Sequence, residues 1–194
     1  MPGSALTRNA QVLRYLLEVA PGAGHTILAK LAYLADLLAR QHLGHPITGL
    51  DYIYDKHGPF DSGRFYSALS ELERGGYIVR ERADVGGFLG YPMQPLQRLP
   101  ADSNLTDAER EILSWVGRTY GSLTARDLCE RVVYQTTPMK RAKPGQRLPM
   151  EDAGRTDPLE FDLERVLAGE RAGEEGRVRP LTSVLNELRA RHHK

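Results

Sequence analysis

The sequence predicts a mainly α-helical protein with a small β element. Apolar residues recur at three- and four-residue spacing in several segments, which is typical of helices that bury one face. Aromatic residues recur at a spacing of two, at 52 and 54, which is typical of a short strand. A Gly-Gly pair at 75–76 separates a helical segment from two strand-like segments, and together these resemble the helix and hairpin of a winged-helix fold.

The length and composition are those of an ordinary soluble protein. The chain has 194 residues, of which 41% are apolar and 26% charged, so it is long enough to bury its own core. Its formal net charge of +1 disfavours a strongly basic nucleic-acid-binding protein. No apolar stretch approaches the ~20 residues that span a bilayer, and the first residues lack the apolar core of a signal peptide. We therefore expect a cytoplasmic protein with no membrane association.

Two helices are predicted at the start of the chain. The first covers residues 7–20, where apolar residues share one face, and Pro21 and Gly22 end it. The second covers residues 26–43 and is the most apolar segment, so we expect it at the centre of the core. Its apolar face contains Ile27, Leu31, Leu34 and Leu38. Gly44 is suited to a left-handed C-cap of this helix.

A connector then leads into a third helix. Tyr52 and Tyr54 indicate a short strand, and residues 57–60 (His-Gly-Pro-Phe) have the composition of a tight turn. We expect Phe60 to pack against the second helix. Asp61 or Ser62 can cap the third helix, which runs to about residue 74.

The winged-helix-like hairpin follows the third helix. Its first strand is predicted at 77–82 and its second at 88–96, with a turn at 84–87 between them. Pro92 and Pro95 make the second strand an edge strand at best.

Further helices are predicted towards the C-terminus. Thr106 and Glu109 form a capping box, which predicts a helix behind them, and Thr124 begins another. Beyond residue 137, a basic run at 138–149 precedes an acidic run at 151–164, and two more helices are predicted near 159–167 and 180–191. We interpret residues 1–137 as a helical domain with a hairpin, and residues 138–194 as a basic and acidic loop plus a helical extension that packs on it. The basic run is interpreted as a solvated loop; the alternative is a docking element that becomes ordered on an acidic partner.

The third helix and the hairpin raise the possibility of DNA binding. A recognition helix needs several basic or amide side chains on its outer face, whereas this helix carries both signs of charge. Its charged residues include Arg64, Glu71, Glu73 and Arg74. We therefore interpret the hairpin as structural, and a winged-helix transcription regulator remains the alternative function.

No motif for catalysis or for a cofactor is present in the sequence. His42 and His45 have no carboxylate at ligand spacing, and no His-Glu-x-x-His pattern exists, so we expect no metal. The single cysteine, Cys129, lies on the apolar face of its predicted helix, which indicates a small buried side chain rather than a nucleophile. The sequence therefore predicts a protein that is not an enzyme and has no cofactor.

Residues 30–78 resemble a known family, the Panacea domain, also described as SocA-like or phage-associated GepA-like. The matching segments are residues 30–36 (KLAYLAD), 44–47 (GHPI), 58–60 (GPF) and 76–78 (GYI). Two features differ from many members of the family. His57 stands where they have an aromatic residue before Gly-Pro, and tyrosines stand in the preceding strand where they carry tryptophan.

The resemblance implies an antitoxin that binds and neutralises a toxin encoded beside it. A related role in the family is that of an adaptor, which holds the toxin and presents it to a cytosolic AAA+ protease. Neither role requires catalysis. The expected partners are therefore a cognate toxin and, for the adaptor role, an AAA+ protease, with at most weak DNA binding.

We predict that the toxin contacts the turn after the short strand and the adjoining start of the third helix. A turn presents exposed groups on a rigid support. The predicted partner-binding residues are Asp55, Lys56, His57, Phe60, Asp61 and Arg64. Gly58 and Pro59 are predicted to have a structural role, which is to fix the course of the chain between the short strand and the third helix. Which charges make the contact stays open between the cations at 56, 57 and 64 and the acids at 51, 55 and 61.

Overall fold

The structure is a computed structural model that describes residues 5–85, 88–97 and 103–152. It is mainly α-helical, as predicted. In the described part of the chain, four longer helices build the core, and two shorter ones follow. The helices are α1 (Arg8–Val19), α2 (His25–Leu43), α3 (Ser62–Arg74), α4 (Asp107–Tyr120), α5 (Ala125–Asp127) and α6 (Thr137–Arg141). Within the described residues, no helix is long and apolar enough to cross a membrane.

Helix α2 lies at the centre of the core, as its apolar sequence predicts. Every residue from 28 to 39 is buried, and α2 packs against both α1 and α4. Gly44 ends the helix with a φ of 80°, the left-handed cap expected there. Helix α1 begins one residue after Thr7, whose side chain accepts a hydrogen bond from the backbone N–H of Ala10.

The first hairpin consists of β1 (Ile53–Asp55) and β2 (Gly58–Phe60), which pair antiparallel. The prediction of a turn at residues 57–60 is wrong, because the turn is Lys56–His57 and residues 58–60 form β2. Gly58, the first residue of β2, has a φ of 89°. Glycine with a positive φ is typical of turns, which is why the composition of this segment indicates a turn. Pro59 is tolerated because β2 is an edge strand of this sheet.

A later segment runs along the other edge of β1. The N–H of Tyr54 donates to the carbonyl of Gln146 (2.8 Å), and the N–H groups of Gly145 and Leu148 donate to carbonyls of Tyr54 and Tyr52 (2.7 and 2.8 Å). Residues 145–148 of the predicted basic loop therefore cover an edge that β1 would otherwise expose.

The second hairpin, here called the wing, extends from 78 to 95. Its base pairs β3 (Ile78–Arg80) with β6 (Met93–Pro95), and its tip pairs β4 (Ala83–Val85) with β5 (Phe88–Gly90). The two long predicted strands are thus broken into two short pairs. The second predicted strand is also not a free edge at β6, because Met93 exchanges backbone hydrogen bonds with Gly22 and Ala23 of the α1–α2 loop.

The predicted capping box begins α4. Thr106 accepts from the N–H of Glu109 (3.3 Å), and the Glu109 carboxylate accepts from the N–H of Thr106 (2.8 Å). After α5 the chain makes a π-helical turn at Leu128–Val132 and a 3₁₀ turn at Val133–Gln135, where a regular helix was predicted. The wider turn allows Leu128 and Val133, five residues apart, both to be buried.

The described part of the C-terminal region includes α6 and a 3₁₀ turn at Met150–Asp152. Its basic side chains are exposed, and two of them form ion pairs: Arg141 with Asp152 (2.8 Å) and Arg147 with Asp51 (2.5 Å). The predicted division at residue 137 stays a prediction. The helices predicted near 159–167 and 180–191 lie outside the described residues, as does part of the turn predicted at 84–87.

Candidate functional site

Three polar residues of α2 hold the elements around the first hairpin. Lys30, Tyr33 and Asp36 are spaced by three along the helix, so they lie along one side of it. Each is no more than 2% exposed, although the rest of this helix segment is almost entirely apolar. Because a buried polar group needs a partner, each of the three fixes a different segment of the chain.

Lys30 holds strand β2. Its Nζ donates to the carbonyl oxygen of Pro59 (2.8 Å) and lies 5.8 Å from the centre of the Phe60 ring. Burial lowers the pKa of Lys30 to about 8, although Cys129 and Asp55 act in the opposite direction. The lysine therefore anchors the hairpin to the central helix rather than serving as a surface charge.

Asp36 holds the loop that leads into β1. Its Oδ1 accepts from the N–H groups of Ile47 and Thr48 (2.8 Å each). Its Oδ2 accepts from the hydroxyls of Tyr52 (2.8 Å) and Thr48. Burial raises the pKa of Asp36, while these hydrogen bonds lower it. One carboxylate thus fixes the course of the chain from α2 to β1.

Tyr33 holds the segment on the far side of the hairpin. Its hydroxyl lies 2.7 Å from Oγ1 of Thr136, which donates to the carbonyl of Val133 (2.7 Å). Its ring packs edge-on against Tyr52, with the centroids 5.3 Å apart. The first hairpin is therefore enclosed by groups that α2 keeps in place.

The hairpin turn presents polar side chains on this support. Asp55, Lys56 and His57 are exposed, whereas Gly58 and Pro59 are buried directly behind them. A Cβ on Gly58 would lie 3.3 Å from Cε of Lys30, so the strand lies against that side chain without room for another group. The structure therefore places three of the predicted partner-binding residues together, on a fixed backbone.

The other predicted residues lie at the opposite end of β2. Asp61 caps α3 by accepting from the N–H of Arg64 (3.2 Å), and it also accepts from the N–H of Asp51 (2.9 Å). Arg64 is exposed but donates to the carbonyl of Gly49 (2.6 Å). The six predicted residues are thus not one cluster, and both side chains at this end have partners within the chain.

Phe60, the last residue of β2, is half-buried. The ammonium of Lys30 approaches it from α2, as expected for packing towards that helix. Its ring also packs edge-on against Phe65 and Tyr66 of α3, with centroids 5.3 and 5.6 Å away. Phe60 therefore joins the hairpin to both helices.

A pocket of about 310 Å³ opens beside the turn. It is lined by Thr26, His57, Ala125, Arg126, Cys129, Glu130 and Tyr134. Cys129 is buried, as predicted, and its Sγ donates to the carbonyl of His57 (3.7 Å). Burial raises the pKa of its thiol, which fits a packed side chain rather than a nucleophile.

Sequence reasoning missed this pocket and the roles of the α2 residues. A lysine and an aspartate within the most apolar helix were a visible signal, because charged residues are buried only with partners. The pocket had no such signal, since its wall depends on the π-helical turn. Among residues 5–85, 88–97 and 103–152, no group of three His, Cys, Asp or Glu side chains is arranged to hold a metal ion.

One family model matches the chain. The model of the family described as "Antitoxin SocA-like, Panacea domain" matches residues 28–136, more than half of the chain. The match includes α2 from Leu28 onwards, the first hairpin, and most of the residues that line the pocket. No curated protein and no solved structure matches the chain. On the family match, the chain belongs to the SocA-like antitoxin family and carries its Panacea domain.

Proposed function

We propose that this chain is the antitoxin of a toxin–antitoxin pair and that it neutralises its cognate toxin by direct binding. The family match over residues 28–136 carries this proposal. The first hairpin supports it, because exposed polar groups on a rigid backbone are suited to protein recognition. The role requires neither catalysis nor a cofactor, and it places both proteins in the cytoplasm.

The proposed contact surface is the hairpin turn, with Asp55, Lys56 and His57 as its exposed side chains. These three residues carry both signs of charge, so they can pair with a mixed surface on the toxin. Asp61 and Arg64 support the neighbouring backbone through their hydrogen bonds, and their own contact with the toxin is a smaller part of the proposal.

Co-expression with the product of the neighbouring gene tests the proposal. That product alone should arrest growth, and the wild-type chain should restore growth and co-purify with it. A turn variant with Asp55→Ala, Lys56→Ala and His57→Ala should lose the rescue while its circular dichroism spectrum stays unchanged. If no neighbouring product is toxic or co-purifies, the antitoxin function is wrong.

The adaptor role is an extension of the same proposal. An adaptor passes the bound toxin to an AAA+ protease, so the toxin should disappear faster in cells that contain the antitoxin. Pulse-chase measurement of the toxin in cells with and without the protease distinguishes the two mechanisms. If the lifetime of the toxin does not depend on the protease, the adaptor role is wrong and direct neutralisation is the remaining mechanism.

The alternative function, a winged-helix regulator, has little support from the described surface of α3 and the wing. Arg80 forms an ion pair with Glu73, and the guanidinium of Arg74 donates to the carbonyl of Ser70 (3.1 Å). Such arginines would have to leave these partners to contact DNA. We expect weak, salt-sensitive DNA binding at most; nanomolar binding to one operator at about 150 mM salt would favour the regulator instead.

A further inference from the structure

We propose that the pocket beside the hairpin turn receives one aromatic side chain of the toxin. This inference rests on the proposed antitoxin function and adds a specific anchor to it. In protein interfaces, a few large side chains seated in pockets contribute most of the binding energy, and aromatic residues are prominent among them.

The size of the pocket fits a ring. Its volume is about 310 Å³, whereas a cavity of about 150 Å³ is enough to bind benzene. Its lining includes the apolar groups of Ala125 and Cys129 and the ring of Tyr134. A flat side chain can therefore enter and contact several walls at once.

The chemistry of the pocket favours an uncharged occupant. Arg126 and Glu130 lie at its mouth as an ion pair of 3.0 Å, and their side chains are 83% and 56% exposed. The thiol of Cys129 already donates to the carbonyl of His57. Arg126 and Glu130 are matched to each other, and the buried Lys30, which interacts electrostatically with Cys129, already donates to the carbonyl of Pro59, so these groups have partners within the chain.

The ring of Tyr134 favours an aromatic occupant over an aliphatic one. It is half-buried and tilted against Tyr54, with the centroids 6.3 Å apart and the planes at 30°. A fixed ring in the wall provides a partner for stacked or edge-on packing. The exposed guanidinium of Arg126 at the mouth can add a cation–π contact.

The pocket is continuous with the proposed contact surface. His57 belongs to the turn and also lines the pocket, so one surface of the toxin can cover both. The far wall is the π-helical turn, which Leu128 and Val133 anchor in the core. Turns of this kind occur frequently at functional sites, and here the turn keeps the pocket open before the toxin arrives.

Filling the pocket tests the proposal with the purified toxin from the neighbouring gene. Ala125→Phe places a ring in the pocket from its own wall. Ala108→Phe is the matched control, because Ala108 is also half-buried in the first turn of a helix that follows a threonine cap. We expect Ala125→Phe to weaken toxin binding by about 30-fold or more and the control to change it by less than about threefold.

The chain's single cysteine gives a second measurement that needs no variant. Cys129 lines the pocket, so its alkylation by iodoacetamide at pH 8 reports access to it. Bound toxin should slow the reaction by about tenfold or more, and N-acetyl-L-tryptophanamide should shift the NMR signals of pocket residues in the wild type but not in Ala125→Phe.

The outcomes separate the pocket from the function. If the toxin binds Ala125→Phe as tightly as the wild type and leaves the alkylation of Cys129 unchanged, the pocket proposal is wrong and the antitoxin function stands. If the toxin does not bind the wild-type chain at all, the antitoxin function is wrong and the pocket proposal falls with it.

Discussion

The first hairpin and the wing are both built from three-residue strands, but they differ in the contacts that attach them to the helices. Behind the first hairpin, Lys30 and Asp36 of α2 are buried. Lys30 donates to the carbonyl of Pro59 in β2, and Asp36 accepts from the hydroxyl of Tyr52, the residue before β1. The wing is attached at its base by backbone pairing and by the buried side chains of Ile78 and Met93, and its polar side-chain contact is the ion pair of Arg80 with Glu73, whose side chains are 43% and 28% exposed.

The two hairpins therefore differ in how strongly their side-chain hydrogen bonds resist disruption. Buried hydrogen bonds leave few alternative arrangements, because breaking one leaves an unpaired polar group in the core. Exposed ion pairs contribute little to stability and are easily replaced by water. We therefore expect substitutions of the buried polar residues behind the first hairpin to have much larger effects than substitution of Arg80 in the wing.

The largest effect is expected at Asp36. Asp36→Ala removes the acceptor for two backbone N–H groups and two hydroxyls, all in the core. The free energy of unfolding should fall by about 3–4 kcal/mol, measured by urea denaturation. Asp36→Asn retains one carbonyl oxygen for the N–H groups and should lose clearly less. Equal losses in the two variants would show that the hydrogen bonds to Oδ1 do not matter.

Gly58→Val separates backbone conformation from crowding. Gly58 and Gly145 have φ values of 89° and 82°, so valine is strained at both. A Cβ at 58 would also lie 3.3 Å from Cε of Lys30, whereas nothing lies within 4 Å at 145. We expect losses of about 3 kcal/mol for Gly58→Val and about 1–2 kcal/mol for Gly145→Val. A melting temperature unchanged by Gly58→Val would contradict the close packing of β2 on α2.

Lys30→Met tests the buried charge through its pH dependence. At pH 7 the stability of the variant should stay within about 1 kcal/mol of the wild type, because the lost donor to the carbonyl of Pro59 is offset by removal of a desolvated charge. The pKa of Lys30 is lowered from 10.5 to about 8 on folding. Between these values the unfolded chain binds more protons than the folded one, so the stability of the wild type rises with pH in that window.

The variant lacks this titration. Its stability relative to the wild type should therefore fall as the pH increases from about 8 to 10.5. Unfolding curves across this range provide the measurement. Parallel pH profiles for the two proteins would mean that Lys30 is not desolvated in the folded state.

The smallest effect is expected at the wing. Arg80→Ala removes an exposed ion pair with Glu73, so the free energy of unfolding should change by less than about 1 kcal/mol and by less still at high salt. Thermal unfolding at low and high salt checks this. A loss as large as that of Gly58→Val would remove the contrast between the two hairpins.

The helices could be predicted from the sequence because their signals are local. Thr7, Asp61 and Thr106 cap α1, α3 and α4. The three- and four-residue spacing of apolar residues indicates the helical segments that follow these caps. Residues 58–60 could not be assigned correctly from composition. A glycine with positive φ is typical of a turn, and here the partner strand β1 and the side chain of Lys30 select a strand instead.

The candidate site was predicted in part for the same reason. The exposure of Asp55, Lys56 and His57 follows from a turn between strands. The pocket depends on contacts between segments distant in sequence, including Cys129 with the carbonyl of His57. Nothing in the local pattern around Tyr134 indicates that its ring would line a pocket beside that turn.

The most direct test of the central claim is the affinity of the toxin for two matched variants. The turn variant replaces the three exposed residues of the first hairpin by alanine. The wing variant replaces three exposed residues of comparable kind by alanine: one acid, one basic residue and one residue with a ring. These are Glu81, Arg82 and Tyr91.

Isothermal titration calorimetry with the product of the neighbouring gene, the proposed toxin, gives the dissociation constants. If the hairpin turn is the contact surface, the turn variant should bind about 100-fold more weakly than the wild type and the wing variant within about threefold of it. A turn variant that binds like the wild type, or a wing variant that loses as much affinity, would contradict the assignment of toxin binding to the first hairpin.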